Sequence, residues 1–249
     1  MSILSSIFLG LVQGVAEFLP ISSSGHLSLF QHFFGMASAD GNLFFDVLLH
    51  LGTLIAIFVY YRKDILGLLK ELVHLIQCVF SSQKRKEMKR LPPDGRMILM
   101  IIIATLPLFV ILPIKSKKTA KSATMLDALL VGVGQAIAVV PGLSRSGTTI
   151  SAGLVRGFSR KFAVRFSFLM SIPAVLGANI LSIAEAVQEG IDTSLLPAYL
   201  IGTAVAAVSG YFAIGLVNLL TNKGKFGNFA YYCWGIGAAA VVASLIFHG

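Results

Sequence analysis

The sequence has few charged residues, few cysteines and no base near its amino terminus. Charged residues make up only 12% of the 249 residues, whereas hydrophobic residues make up 56%. A soluble domain has roughly 25% charged residues, so a water-soluble globular protein is excluded. The first Lys or Arg is Arg62. Because a cleavable signal peptide needs a positive segment before its apolar region, we expect the amino-terminal apolar stretch to remain in the protein.

The two cysteines and the basic surplus also exclude classes of site. Cys78 and Cys233 lie far apart in apolar stretches, so neither a disulfide nor a zinc site is expected. Lys and Arg exceed Asp and Glu by 20 to 11, a net charge of +9. The bases lie largely in the loops between apolar segments, which is typical of membrane proteins. A nucleic acid partner is therefore not expected.

Long apolar segments dominate what is present. A membrane-spanning helix needs ~20 mostly apolar residues, and five segments meet this need: 42–61, 97–114, 162–184, 195–220 and 228–247. The segment 65–81 contains Lys70, Glu71 and His74, so it either spans the membrane or lies flat in the interface.

Two further apolar segments, about 3–34 and about 124–158, are interrupted by polar residues, proline and glycine. Their halves are too short to cross a bilayer comfortably. Backbone freed from a helix is tolerated at membrane depth only inside protein or beside a polar cavity. Each segment is therefore predicted to form a re-entrant helical hairpin whose break faces inward.

The two interrupted segments match each other at an offset of 122 residues. This offset pairs Gln13 with Gln135, Ser22 with Ser144, Ser24 with Ser146, and Gly25 with Gly147. We predict an all-α, polytopic integral membrane protein with one membrane domain, residues 1–249. Repeat one covers about 1–114 and repeat two about 122–249. Each repeat would have one re-entrant hairpin and about three transmembrane helices, which would make the repeats inverted and bring the two breaks together.

The basic loops predict an orientation in the membrane. If 65–81 spans, one side receives most of the bases, including those of 115–121 and 156–161. By the positive-inside rule that side is cytoplasmic and both termini are outside, although the basic run 84–96 opposes this assignment. Arg145 would then be the single buried base.

Ionisable residues inside membrane segments are costly and are functional candidates. Two of them, Asp127 and Arg165, are expected near helix ends, where capping or snorkelling explains them. Asp46 and His50 share one helix face and are expected to play a supporting role. Functional roles are thus expected for the other three ionisable residues within membrane segments: Glu17, His26 and Arg145.

The first break follows Gln13 and Glu17, which project from one helix face. The start of the following helix contains three serines, a glycine and a histidine: Ser22, Ser23, Ser24, Gly25 and His26. A helix amino terminus offers unpaired N–H groups and a partial positive charge, so it can bind an anion. The alternative is that Ser22 is only an N-cap.

The second break places Arg145 among hydroxyls and glycines, again at a helix start. The guanidinium is a permanently charged fork suited to phosphate oxygens. Its neighbours are Ser144, Ser146, Gly147, Thr148 and Thr149. The alternative is a structural salt bridge between Arg145 and Glu17.

The motif Gln13-x3-Glu17 followed by FLPISSSGH, with the distant PGLSRSGTT, resembles the undecaprenyl-diphosphate phosphatases of bacteria, also called the bacitracin-resistance protein family. The resemblance covers essentially the whole chain. It implies a multi-pass enzyme of the bacterial plasma (inner) membrane that hydrolyses undecaprenyl diphosphate to undecaprenyl phosphate and inorganic phosphate. This reaction recycles the lipid carrier of peptidoglycan synthesis and confers bacitracin resistance. The resemblance also implies a divalent cation and a site that opens toward the outer face.

The residues can be assigned roles for phosphoryl transfer. Arg145 and the hydroxyls and amides of both breaks would hold the diphosphate. Glu17 with Gln13 would bind Mg²⁺, or Ca²⁺, although Glu17 could instead act as a base. The nucleophile is Ser23 activated by His26, His26 itself, or water with His26 as base.

Inverted repeats occur in secondary transporters, so a transporter or lipid flippase is the alternative function. A non-catalytic scaffold ranks last, because it leaves Glu17, His26 and Arg145 unexplained. Membrane lipid is an expected partner, and the sequence leaves a homo-oligomer open.

Overall fold

The computed structural model describes residues 1–33, 43–80, 119–139, 143–189, 193–223, 226 and 228–247. These residues form nine α-helices: α1 Ile3–Phe18, α2 Ser23–Phe33, α3 Leu43–Tyr60, α4 Arg62–Phe80, α5 Met125–Ile137, α6 Arg145–Val155, α7 Arg160–Glu189, α8 Leu196–Asn222 and α9 Asn228–Phe247. A short 3₁₀ turn, Thr193–Leu195, precedes α8. The described residues contain no β-strand, so the all-α prediction is confirmed.

The apolar helices agree with several of the predicted spans. Arg160–Glu185 and Thr193–Asn222 are long and apolar enough to cross a membrane, and they contain the predicted segments 162–184 and 195–220. The helix α9 has the bounds predicted for the last span. The predicted span 97–114, the basic run 84–96 and most of the run 115–121 lie outside the described residues.

The helices α3 and α4 are separated by one residue and meet at a sharp bend. Between Phe44–Tyr60 and Arg62–His74 the axis turns by 83°. The predicted segment 65–81 is helical up to residue 80, because it lies in α4. Because of the bend, it does not continue the direction of α3. If α3 crosses the membrane, α4 runs along the membrane plane, which is the interfacial alternative.

The two interrupted segments form two helical hairpins with similar breaks. The pair α1 and α2 pack together, as do α5 and α6. Ser22 Oγ accepts a hydrogen bond from the Gly25 amide at 3.2 Å, and Ser144 Oγ accepts one from the Gly147 amide at 3.1 Å. Each serine thus caps its helix at the third helical residue. The N-cap alternative for Ser22 is realised, and the same cap occurs in both hairpins.

Small residues bring α1 close to α8. A Cβ atom on Gly14 would collide with Ser209 and with the Ala206 carbonyl, and one on Gly10 would collide with the Gly202 backbone. Helices in membranes associate through such small residues because they allow close backbone approach. This contact fixes α1, whose last turn contains Glu17.

A buried ion pair holds the second hairpin closed. Arg156 Nε and Nη2 donate to Asp127 Oδ1 at 2.9 and 2.6 Å, and the two residues are 5% and 0% exposed. Asp127 also completes a capping box with Thr124 at the start of α5, as its expected helix-end position allows. The expectation that Arg145 is the single buried base is wrong, because Arg156, counted with the loop bases, is neutralised inside the protein by Asp127.

Replacing Asp127 by alanine is expected to lower the free energy of unfolding by about 3–5 kcal/mol, because it leaves the Arg156 guanidinium buried without a counter-charge. The measurement is thermal unfolding of the purified protein in detergent. Adding Arg156→Met should restore much of the loss. Asp64→Ala is the matched control, because its pair with Arg165 has side chains 30% and 34% exposed and should contribute less than ~1 kcal/mol. Equal losses in the two single variants would contradict the prediction.

Candidate active site

The two breaks lie against each other although they are more than a hundred residues apart. Ser146 Oγ donates to the Leu19 carbonyl oxygen at 3.1 Å, and Ser144 Oγ lies 3.5 Å from the same oxygen. A Cβ atom on Gly147 would lie 3.0 Å from Pro20 Cβ, so a larger side chain there would push the breaks apart. The Leu19 carbonyl, freed from the helix, accepts from the Ile21 amide at 2.8 Å as well as from the second hairpin, as buried backbone requires.

Glu17 is the centre of the polar cluster that forms where the breaks meet. Its Oε2 accepts hydrogen bonds from Ser23 Oγ at 2.7 Å and from Gln13 Nε2 at 3.1 Å. Its Oε1 pairs with Arg145 Nη2. His50 Nε2 lies 3.9 Å from Oε2. One carboxylate therefore joins α1, α2, α3 and α6.

Arg145 is the positive end of this cluster. Its side chain is 18% exposed, whereas that of Glu17 is 7% exposed. Arg145 and Glu17 form the salt bridge that the sequence predicted as the alternative to phosphate binding by Arg145. Arg145 also lines a cavity, so the same guanidinium can meet a ligand. Its five donors exceed what one carboxylate can take up, and the ion pair and a phosphate contact are compatible.

The cavity has a volume of about 880 Å³, within the ~300–1,000 Å³ typical of small-molecule sites. Its polar end is lined by Glu17, Ser23, Ser24, Ser144 and Arg145. An apolar wall comes from α7, with Pro173, Ala174, Val175, Ala178 and Leu181. The helices α2 and α6 both begin at the polar end, so their amino termini add partial positive charge. This combination suits an amphiphile with an anionic head.

The predicted pair of Ser23 and His26 is not formed. Ser23 donates to Glu17, as described above. His26 Nδ1 lies 2.9 Å from the Ser22 carbonyl oxygen, which can only accept, and His26 Nε2 lies 3.0 Å from Tyr232 Oη. The His26 and Tyr232 rings stack with centroids 5.8 Å apart. Both ring nitrogens of His26 thus contact residues other than Ser23. The i,i+3 spacing places Ser23 and His26 on one helix face, but it does not bring their side chains into contact.

The other predicted site residues do not line the cavity. Gln13 is fully buried, and Thr149 Oγ1 lies 2.5 Å from Ser167 Oγ on α7. Thr148 Oγ1 donates to the Ser144 carbonyl at 2.8 Å. Ser22 has a φ of 66°, a strained value for serine that is often found at functional sites. Within the described residues, the cavity lining lacks Gln13, Ser22, Gly25, His26, Ser146, Gly147, Thr148 and Thr149.

Five polar residues of the cavity lining had no direct role in the sequence-based assignment: Asp46, His50, Gln135, Asn179 and Ser182. Asp46 and His50, expected to give support, line the cavity themselves. Gln135 and Asn179 also line it. The repeat offset singles out Gln135 as the counterpart of Gln13, whereas no sequence signal marks Asn179, a lone amide in an apolar helix.

Comparisons with known proteins agree with the motifs. The model of one protein family, described as bacitracin resistance protein BacA, matches residues 6–116 and 108–239. A protein of Carboxydothermus hydrogenoformans named undecaprenyl-diphosphatase is 39% identical, and the match covers 97% of each chain. Proteins of the same name from Alkaliphilus metalliredigens and Halothermothrix orenii are 34% and 37% identical over 99% of this chain and 100% of theirs.

Proposed function

The chain belongs to the bacitracin resistance protein BacA family, and we propose that its cavity hydrolyses undecaprenyl diphosphate to undecaprenyl phosphate and inorganic phosphate. The relatives carry the name undecaprenyl-diphosphatase. The observation that carries the proposal is the cluster of Arg145, Glu17 and Ser23 at the polar end of an apolar cavity. The reaction recycles the lipid carrier of peptidoglycan synthesis. It also confers bacitracin resistance, because the antibiotic sequesters the same lipid diphosphate.

The substrate's two parts match the two parts of the cavity. The guanidinium of Arg145 and the amino termini of α2 and α6 bind the diphosphate, which carries negative charge. The first isoprene units lie along the apolar wall of α7. The cavity, about 880 Å³ in volume, is large enough for a drug-sized ligand but too small for the whole prenyl chain. The rest of the chain therefore extends into the bilayer.

Ser23 is the nucleophile in this proposal and Glu17 its base. Ser23 Oγ attacks the terminal phosphorus, its proton passes to Glu17 Oε2, 2.7 Å away, and the bridging P–O bond breaks. Undecaprenyl phosphate leaves with the bonding electrons. Glu17 gives the proton of Ser23 to the departing phosphate oxygen, then takes one from water, which cleaves the phosphoserine and releases inorganic phosphate. A diphosphate that shares the Arg145 guanidinium with Glu17 weakens the hold of Arg145 on the carboxylate, so that Glu17 can accept the proton.

A divalent cation, Mg²⁺ or Ca²⁺, is the second part of the proposal. Gln13 Oε1 is buried without a hydrogen-bond partner among the described residues, and it stands beside the Glu17 carboxylate. These residues would supply two oxygen ligands, and Mg²⁺ commonly uses one or two carboxylates together with substrate phosphates. When bound, the cation would neutralise phosphate charge. The described residues contain no group of three or more His, Cys, Asp or Glu side chains that could hold a metal ion, so substrate phosphate and water would complete the coordination.

The finer location is proposed on the family resemblance. The chain is a membrane protein with apolar helices. We place it in the bacterial inner membrane with the cavity opening toward the outer face.

Purified protein in detergent should release inorganic phosphate from a prenyl diphosphate, and EDTA should lower that release at least tenfold. The reason is that the cation shares the neutralisation of the diphosphate with Arg145. The measurement is phosphate release with EDTA, and again after Mg²⁺ or Ca²⁺ is added in excess. Detergent removes the two compartments, so transport cannot produce the signal. No release from folded protein would contradict the hydrolase, and full release in EDTA would contradict the cation requirement.

A further inference from the structure

Two neutral amides line the cavity on elements that contribute neither the nucleophile nor its base. Gln135 lies on α5 and Asn179 on α7, and they are 4% and 5% exposed. Gln135 Oε1 and Asn179 Nδ2 are buried and have no hydrogen-bond partner among the described residues. Buried polar groups are nearly always paired, and leaving one unpaired costs free energy. Both residues line the cavity, so rotation of their amides would let a ligand in the cavity complete them.

The repeat gives Gln135 a setting different from that of its counterpart, although Oε1 has no partner among the described residues in either Gln13 or Gln135. Its counterpart Gln13 donates to Glu17, four residues later in α1. In the second hairpin the residue four positions after Gln135 is Val139, which is 68% exposed. The second repeat therefore keeps the amide of the first and lacks its carboxylate partner. Gln135 Nε2 has no carboxylate acceptor at position 139, and the residue lines the cavity.

The surroundings of Gln135 and Asn179 limit what that ligand can be. Their sequence neighbours in the cavity lining include the apolar Ala138, Val139, Ala178 and Leu181, together with Ser182, whose hydroxyl is uncharged. An amide can present N–H donors, and its oxygen and nitrogen exchange places by rotation of the side chain. Phosphate oxygens are strong acceptors that two amides can hold without a fixed charge.

We propose that Gln135 and Asn179 bind the phosphate that remains on the prenyl chain, while Arg145 and Ser23 hold the phosphate that is transferred. This assignment rests on the proposed function. The transferred phosphate needs the nucleophile and the cation, both at the polar end. The lipid phosphate is attached to the chain, which follows α7, the helix that carries Asn179. Neutral donors hold a phosphate less strongly than a guanidinium does, which favours release of the lipid product.

The test measures binding, so it does not depend on turnover. The probes are a short-chain prenyl monophosphate and inorganic phosphate, titrated separately into the purified full chain in detergent micelles. The variants are Gln135→Leu, Asn179→Leu and the double variant. We expect the Kd for the prenyl monophosphate to rise about tenfold in the double variant, as the loss of one or two hydrogen bonds would give. The Kd for inorganic phosphate should stay within about twofold of wild type.

The controls separate a binding role from a structural one. The two variants remove atoms that have no protein partner, so their thermal stability should not fall. Asn218→Leu is the matched control: Asn218 Nδ2 donates to the Ile214 carbonyl at 3.0 Å and lies 3.3 Å from Tyr61 Oη, outside the cavity lining. It should lower stability and leave both Kd values unchanged.

Two results would overturn the assignment. An unchanged Kd for the prenyl monophosphate in the double variant would mean that the amides do not contact the lipid phosphate. A weaker Kd for inorganic phosphate with an unchanged prenyl monophosphate Kd would assign the amides to the transferred phosphate. Failure of the proposed function is seen separately, as absence of phosphate release by wild type.

Discussion

Replacing Arg145 by alanine is expected to lower phosphate release at least ~1,000-fold, the range seen when phosphoryl-transfer enzymes lose a catalytic arginine. Two effects combine. The substrate loses the guanidinium at the polar end of the cavity, and Glu17, only 7% exposed, loses its counter-charge. The measurement is the initial rate of phosphate release from a prenyl diphosphate at saturating substrate.

Controls for Arg145→Ala come from the same chain. Arg145→Lys keeps the charge but not the planar fork, so it should recover only part of the activity. Arg165→Ala removes a guanidinium that pairs with Asp64 instead and should leave the rate near that of wild type. Glu17→Ala should be as inactive as Arg145→Ala, because the pair acts as one unit. Near-normal turnover by folded Arg145→Ala protein would remove Arg145 from the site.

Replacing Ser23 by alanine is expected to abolish phosphate release to a similar extent. The hydroxyl that attacks phosphorus is lost, while the Arg145–Glu17 pair is retained. The measurement has two parts: the rate of phosphate release, and acid quenching with a substrate labelled in its terminal phosphate. Wild type should carry label on Ser23 after quenching, because a serine nucleophile forms a phosphoserine intermediate. The Ser23→Ala variant should carry none.

Ser28→Ala is the matched control for Ser23→Ala, because Ser28 lies on the same helix α2 and is exposed. It should release phosphate at the wild-type rate. Appreciable turnover by Ser23→Ala would exclude a serine nucleophile and would favour water, with Glu17 as the base. His26→Ala would then be informative, because the contacts of His26 with Ser22 and Tyr232 predict a loss of stability rather than of the chemical step.

Local features of this chain were predictable because they depend on residues a few positions apart. The length of apolar segments predicted α7, α8 and α9. The i,i+4 spacing of Gln13 and Glu17 predicted their shared face, and they are hydrogen-bonded. The serine and glycine pattern predicted two helix starts, both of which occur. Helix periodicity and capping operate within one or two turns, so sequence alone reports them.

Contacts between distant segments were decided only by the tertiary structure. Ser23 could have met His26 or Glu17, and the packing of α2 against the end of α1 selects Glu17. Arg156 belongs to a basic stretch of sequence, yet the packing of α6 on α5 buries it against Asp127. Gln135 and Asn179 reach the same cavity although 44 residues separate them.

The sequence by itself determined the membrane class, the two breaks and the family, because composition and short motifs carry that information. The tertiary structure decided which side chains share the carboxylate of Glu17 and which line the cavity. The physical reason is that these depend on how helices pack. That packing is set by close approach at residues such as Gly10 and Gly14 against α8, and no local sequence rule encodes it.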